Sequence, residues 1–400
     1  MMSIARRTTG LPLHGVKRTS FNLLKRSWSW KGNGNEEEGG LKMNDPLREV
    51  FISQSNDIFS NLALEDWLYR HHDFQHKHLL LLWRNNPCVV IGRHQNPWVE
   101  ANVPFLRGQD IDLARRNSGG GTVYHDLGNI NCTFFTHRDQ YRRRHNLEII
   151  CSAIQRLTNL NVGINAREDI VLNSETKISG TAAKLGRCSA YHHCTVLVDV
   201  NGAVLHESLN SKASNIESRA TQSVRVPVQN IKEAYPSATT DSLLESIGWE
   251  FLRTDVNGDD QGLSNNKNRG FHLVRPDNDW YKGLDDIKKE LQGYNWVFGK
   301  TPKFRVVRTF QLPENLMPEI SGTSPSIGFE LVVEKGFVID VKIALPRGML
   351  DPDYDLANIL YGQPFTKNLP QLVEASLDSV FDEKKNFLME CVQESIRGIV

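Results

Sequence analysis

Apolar positions become regular from about Ile52 onward. Phe59, Leu62, Ala63 and Trp67 recur at the spacing of one helix face and predict a helix there. Two apolar runs, Leu79–Trp83 and Cys88–Ile91, read as short strands, and Arg84-Asn85-Asn86-Pro87 between them has tight-turn composition. Leu147, Ile150, Cys151, Ile154 and Leu157 mark a second helix and assign Cys151 to the core rather than to chemistry. A strand pair is predicted from Lys177 to Val200, most strongly over Cys194–Val200. Residues 254–270 hold almost no apolar side chain and read as a loop or linker. Beyond it, Phe329–Val333 and Phe337–Ile343 flank Glu334-Lys335-Gly336, a hairpin signature, and two helices are expected near 368–381 and 383–397. The pattern predicts an α/β chain: a larger domain with a mixed sheet over 46–252, a linker region over 253–295 and a small α+β domain over 296–400.

Composition narrows the class. In 400 residues, 39% hydrophobic side chains with 17 Phe, 9 Tyr and 8 Trp suffice for a full core, which excludes disorder throughout. The longest unbroken apolar run is Leu79–Trp83, too short for a membrane-spanning helix. Basic and acidic residues balance at 47 each, which argues against a dedicated nucleic-acid binder. The balance is uneven along the chain. Residues 1–30 carry Arg6, Arg7, Lys17, Arg18, Lys25 and Arg26, many hydroxyls and no acid. That composition reads either as a disordered tail or, preferably, as a mitochondrial transit peptide joined by a Gly/Asn/Glu-rich stretch to the folded chain at about residue 45. The expected location is therefore the mitochondrial matrix. The six cysteines include no C-x-x-C pair, so neither a metal site nor a redox motif is indicated.

The most informative segment is Arg115-Arg116-Asn117-Ser118-Gly119-Gly120-Gly121-Thr122-Val123-Tyr124-His125-Asp126-Leu127-Gly128-Asn129. Three consecutive glycines let backbone amides approach a phosphate, and Arg116 adds a fixed cation. A glycine triplet alone is as readily a flexible turn. It matches neither a P-loop nor a dinucleotide fingerprint.

The whole string resembles the R-R-x-S-G-G-G-x-V-x-H-D-x-G-N signature of the lipoate-protein ligase A and lipoyltransferase family, which shares a fold with biotin-protein ligases. Further resemblance lies in Val90–Trp98, Lys177–Ala182, His192–Thr195, Ser223–Arg225 and Trp296–Phe304, covering most of residues 50–400. Thr122–His125, the Gly299–Phe304 run and the basic leader are similar to the mitochondrial lipoyltransferase branch. The resemblance implies an acyltransferase that passes a lipoyl group from lipoyl-AMP or a lipoylated glycine cleavage H protein to one lysine of the lipoyl domains of 2-oxoacid dehydrogenase E2 subunits. It implies no tightly bound cofactor and a monomer acting on neither nucleic acid nor membrane. By the same resemblance Lys177 is catalytic. Lipoyl-AMP would be held by Arg116, Ser118, Gly119, Gly120, Gly121, Thr122, Val123, Tyr124, Arg167, Lys177, Thr195, Ser223 and Val224. Glu168 stands where the family's Arg-Asn-Asp motif has Asn, between Arg167 and Asp169, and the stretch to Lys177 is three residues shorter than in bacterial ligases. Both departures put an inherited ATP and Mg²⁺ geometry in doubt.

Other readings remain open beside this one. The chain could be a complete ATP-dependent ligase, a transferase with a thioester on Cys132, Cys188 or Cys194, or a non-catalytic lipoyl-domain binder. Lys184 is expected in a turn, solvated or facing the acceptor. Of His192 and His193, neighbours on a strand, at most one can face the site. His125 and Asp126 diverge for the same reason and read as structural. Arg142-Arg143-Arg144 reads either as a solvated face or as an attractor for an acidic partner.

Overall fold

Leu79, Leu80, Leu81 and Leu82 are all fully buried, which a strand allows only where both faces of its sheet are covered. The computed structural model describes residues 46–254, 270–316, 326–344, 356–369, 371–372 and 383–400. The basic leader, most of the polar stretch 254–270 and most of the helix expected at 368–381 lie outside the described residues.

The chain opens with β1 (Leu47–Ser53), α1 (Ile58–His71), β2 (Lys77–Trp83) and β3 (Cys88–Ile91). Two short helices, α2 (Pro97–Glu100) and α3 (Val103–Gly108), precede β4 (Asp112–Arg115), β5 (Val123–His125) and β6 (Asn129–His137). After α4 (Arg143–Thr158) come β7 (Val162–Ile164), β8 (Ile170–Leu172), β9 (Thr176–Lys177), β10 (Ser179–Leu185) and β11 (Ser189–Leu197). Next are α5 (Gly202–Leu209), β12 (Ile216–Ser218), α6 (Ile231–Ala234), α7 (Thr240–Arg253) and β13 (Phe271–Val274). The chain closes with α8 (Leu284–Gln292), α9 (Tyr294–Val297), β14 (Phe304–Gln311), β15 (Ser326–Glu334), β16 (Phe337–Ala344), α10 (Leu356–Leu360) and α11 (Glu383–Ile396).

The main sheet runs β10-β11-β6-β2-β1-β13, with β1 parallel to both neighbours and the other pairings antiparallel. Leu80 and Leu82 pack with α4 and α7 through Leu147, Ile150, Ile154, Ile247 and Phe251. Leu79, Leu81 and Trp83 face the other way, against Leu64 and Leu68 of α1 and Ile287 and Leu291 of α8. The expected mixed-sheet α/β class is thus present. No helix among the described residues is long and apolar enough to cross a membrane.

The turn composition of Arg84–Pro87 joins two strands as expected but marks no hairpin: β2 lies in the main sheet while β3 pairs with β4 and β5 in another. Asn85 is wholly buried there, bonded to Asn61 and His125, so the polar turn composition reflects an internal network. Nor is 253–295 a linker where it is described: β13 extends the main sheet and α8 packs on α1. The Lys335-Gly336 hairpin is as expected, with both residues at positive φ (52° and 80°), the conformation such two-residue turns require.

The C-terminal sheet runs β12-β14-β15-β16, so its first strand comes from the segment ahead of α6. Arg115, wholly buried, ties the same two regions. Its guanidinium donates to the carbonyls of Gly92, Arg93 and Gln95, to that of Val297 at 2.8 Å and to the Thr301 hydroxyl at 2.9 Å. Arg115→Met should cost about 3 kcal/mol in urea unfolding, since it strands several buried carbonyls at once. Arg115→Lys should not restore it, because an ammonium cannot span the fork's directions.

Candidate active site

The glycine loop joins β4 to β5. Gly120 sits at φ +86°, and a Cβ on Gly92 would lie 2.2 Å from the Gly120 carbonyl, so glycine is required at both positions. Arg116 shapes this loop from within. Its fork donates to the carbonyls of Gly119 (2.7 Å), Gly121 (2.6 Å) and Val90 (2.9 Å) and to the Ser118 hydroxyl (3.0 Å). Burial lowers its pKa to about 10, which leaves it charged at neutral pH.

On the far side of the loop, the Ser223 hydroxyl accepts from the Thr122 amide (2.8 Å) and from Gln95 (3.1 Å). It donates in turn to the Glu100 carboxylate, which also receives the Ser223 amide. Residues 223–229 are thereby pinned against the loop, and the Gln229 amide then bonds the Lys177 carbonyl.

Lys177 is delivered by the meander β7-β8-β9. In its register Val171 opposes Lys177, so Asp169, two residues back on β8's side, falls diagonal to Lys177 on the same face. The two side chains pair at 2.7 Å. The short Arg167–Lys177 stretch is what tight turns at Asn165–Asp169 and Asn173–Glu175 require.

Two cavities, of about 360 and 430 Å³, share a wall made of Thr122, Val123, Lys177, Gly180, Thr195, Ser223 and Val224. The first runs from Leu62, Trp83 and Val90 to a charged mouth of Arg143, Arg167, Asp169 and Lys177. The second is mostly apolar, with Tyr124, Leu197, Leu205, Leu209 and Val226. Among the described residues no group of His, Cys, Asp and Glu could hold a metal ion.

His193 faces the first cavity, bridging Glu65 (3.0 Å) and Ser118 (2.8 Å). Burial opposes the Glu65 charge, but contact with His193 and the Thr133 hydroxyl overcomes it and holds that carboxyl below its ordinary pKa. The chain of Ser, His and Glu looks like a nucleophilic triad, yet Ser118 is buried and lines neither cavity. It is scaffolding behind the loop. His192 points the opposite way into the core, stacked on Phe134.

This geometry can be set beside known proteins. The lipoyl protein ligase A/B catalytic domain matches residues 57–251. The mitochondrial lipoyl amidotransferase LIPT1 of Homo sapiens is 42% identical over 66% of this chain and 68% of its own. A putative lipoate-protein ligase A of Schizosaccharomyces pombe is 33% identical over 78% and 83%. The chain belongs to the lipoyltransferase and lipoate-protein ligase A family. It is an enzyme that transfers acyl groups. Its fold is also that of the P. falciparum LipL1 crystal structure, with a TM-score of 0.54 at 23% identity over 87% of this chain and 99% of that one.

Of the residues that the family resemblance singled out, Arg116, Gly120, Gly121, Thr122, Val123, Arg167, Lys177, Thr195, Ser223 and Val224 line the first cavity, and Tyr124 the second. Ser118 and Gly119 line neither, and Arg116 spends most of its donors on the loop itself, so direct phosphate contact is not its main part. Lys184 lies within β10 rather than in a turn, 3.3 Å from Asp66 and over the Tyr69 ring. Arg143 is half-buried rather than part of a solvated face: it lines the cavity, bonds Thr181 and pairs with Glu168. Glu100 went unremarked because nothing local in sequence sets it apart.

Burial lowers the pKa of His125 to about 3 and that of His192 well below its ordinary value. The unfolded chain, with histidines near 6.5, therefore binds more protons on the acid side. Stability should be complete above about pH 6.5 and fall below it, by up to about 1.4 kcal/mol per pH unit for each histidine. Urea titrations at pH 7, 6 and 5 would measure the slope, and His192→Phe should reduce it by about half.

Proposed function

We propose that this protein transfers a lipoyl group from lipoyl-AMP to a lysine of a lipoyl domain, forming an amide and releasing AMP. The observation that carries the reading is Lys177, held by Asp169 on the wall common to both cavities. The apolar part of the first cavity suits the acyl chain and dithiolane ring, and the second suits the nucleoside. The mixed anhydride then lies against Lys177. The incoming ε-amine attacks the acyl carbon, the bond from that carbon to the phosphate oxygen breaks, and the amine loses a proton as AMP departs. Negative charge grows on the acyl and phosphate oxygens, and a fixed ammonium there lowers the barrier.

The acceptors on this reading are the lipoyl domains of 2-oxoacid dehydrogenase E2 subunits, in the mitochondrial matrix, with the lipoylated glycine cleavage H protein as an alternative donor and a monomer as the working form. The relatives named mitochondrial lipoyl amidotransferase support a mitochondrial location and lipoyl transfer to an amide. A complete ATP-dependent ligase is the second reading, and the relatives named lipoate-protein ligase favour it.

A thioester route is disfavoured by burial. Cys132 and Cys194 are buried, Cys194 at the edge of the first cavity, and burial pushes the Cys194 thiol up to about 12 and Cys132 well above its ordinary value. Cys188 is exposed but lines neither cavity.

Single-turnover transfer from lipoyl-AMP to an apo lipoyl domain tests the mechanism. Lys177→Ala should lose roughly a hundredfold in rate, on the order of 3 kcal/mol, without rescue by Lys177→Arg, while Lys184→Ala is mild. Near-normal turnover of Lys177→Ala would remove the electrostatic role. In the same assay Cys132→Ser, Cys188→Ser and Cys194→Ser should each stay within about tenfold of wild type. An acyl group trapped on one of these sulfurs would establish the thioester route instead.

A further inference from the structure

Helix α4 starts on three arginines, Arg142, Arg143 and Arg144, with no acid in its first turn and no side chain capping its amides. Cations oppose the partial positive charge of a helix N-terminus, so local stability does not account for them. Two are taken up nearby, Arg143 by Glu168 and Thr181, and Arg144 by Glu148 at 3.2 Å. Arg142 is exposed and has no carboxylate partner among the described residues. Arg138 and Arg187 share that condition, and the fold gathers them at the same end of the sheet. His137 at the end of β6 opposes Ser189 at the start of β11, and the Arg138 amide bonds the Cys188 carbonyl at 2.7 Å. Leu185, 49% exposed, lies on the same hairpin tip. Of the acids nearby, Glu148, Glu168 and Asp66 are engaged by Arg144, Arg143 and Lys184, which leaves Asp139 against three unpaired arginines. This edge is continuous with the reaction chamber. β10, the outer strand of the main sheet, lines the first cavity with Gly180, Thr181 and Ala182 and ends at Leu185.

We propose that the edge formed by Arg138, Arg142, Arg187 and Leu185 docks the acceptor domain, through acidic side chains that flank its target lysine. This rests on lipoyl transfer as read above. The first cavity is lined by Arg116, Arg143, Arg167 and Lys177, with Asp169 and the Arg143-bound Glu168 as their counter-charges. The approaching ε-ammonium is itself a cation and meets net repulsion there. Carboxylates beside that lysine, seated on the arginine edge, offset the repulsion and fix the direction of approach. The edge therefore selects among lysines by the charge of their surroundings.

Cys188 stands on the same tip and is exposed, while the other five cysteines are buried, so a maleimide reads this edge selectively. A saturating apo lipoyl domain should slow alkylation of Cys188 in the full chain about fivefold, as burial in an interface does. In transfer from saturating lipoyl-AMP, the wild-type KM for the acceptor should rise with salt. Combining Arg138→Glu, Arg142→Asp and Arg187→Glu should raise that KM about tenfold at low salt, keep kcat within about twofold, and abolish both the salt dependence and the protection. Arg142→Asp suits a helix N-terminus, so the combined variant should melt no lower than wild type, which separates docking from folding. With wild type transferring, an unchanged acceptor KM in the variant, or an unprotected Cys188 at saturating acceptor, overturns the inference and leaves lipoyl transfer intact. Failure of wild type to transfer from lipoyl-AMP would strike that reading and the inference with it.

Discussion

Two adjacent buried guanidiniums, Arg115 and Arg116, hold the site in shape, and neither has a carboxylate partner among the described residues. Backbone carbonyls take that place. Burial lowers Arg115 to about 9 and Arg116 to about 10, so both keep their charge at neutral pH and both demand oxygen ligands. Arg115 gathers the turn at 92–95 and the start of the C-terminal region, while Arg116 gathers the glycine loop. The strand pair β3 and β4 lies beneath both, and without these forks the loop's carbonyls would have no reason to converge.

What the sequence made legible follows from periodicity and from a long, specific motif. The helices around Leu62 and Leu147, the strands around Leu80 and Val196, and the Lys335-Gly336 turn each carry their own local signal. The part played by Arg116 was not legible, because a cation beside glycines suits an anion and a set of carbonyls equally well. Nor was that of Arg143. Its position near the start of a helix is the same whether it meets water or Thr181, and only the placement of β10 decides. The segment 253–295 was misjudged as a linker because it opens on a polar stretch, although Leu284, Ile287 and Leu291 already carry a helical stripe.

The region around Lys177 is assembled from three segments distant in sequence, fixed by main-chain bonds together with the Arg116 and Ser223 side chains. The meander supplies the lysine and its aspartate, the glycine loop supplies amides, and residues 223–229 close over both. Rigid supports of this kind suit a reaction whose barrier is lowered by charges already in place, because little reorganisation is then left for the moment of transfer.

The segment from Ser211 to Gln229 has a consequence for modularity. It donates to the Trp98 carbonyl, lends β12 to the C-terminal sheet, anchors Asn215 to the Ser395 carbonyl, and ends on the main chain of Lys177. The C-terminal region therefore contributes structure to the wall of the reaction chamber without lending it a side chain. The two regions cannot be inherited or exchanged as independent parts. A gene fusion that replaced residues 296–400 with an unrelated module would leave β12 without its neighbour and Arg115 without two of its ligands, and the chamber would lose one of its sides.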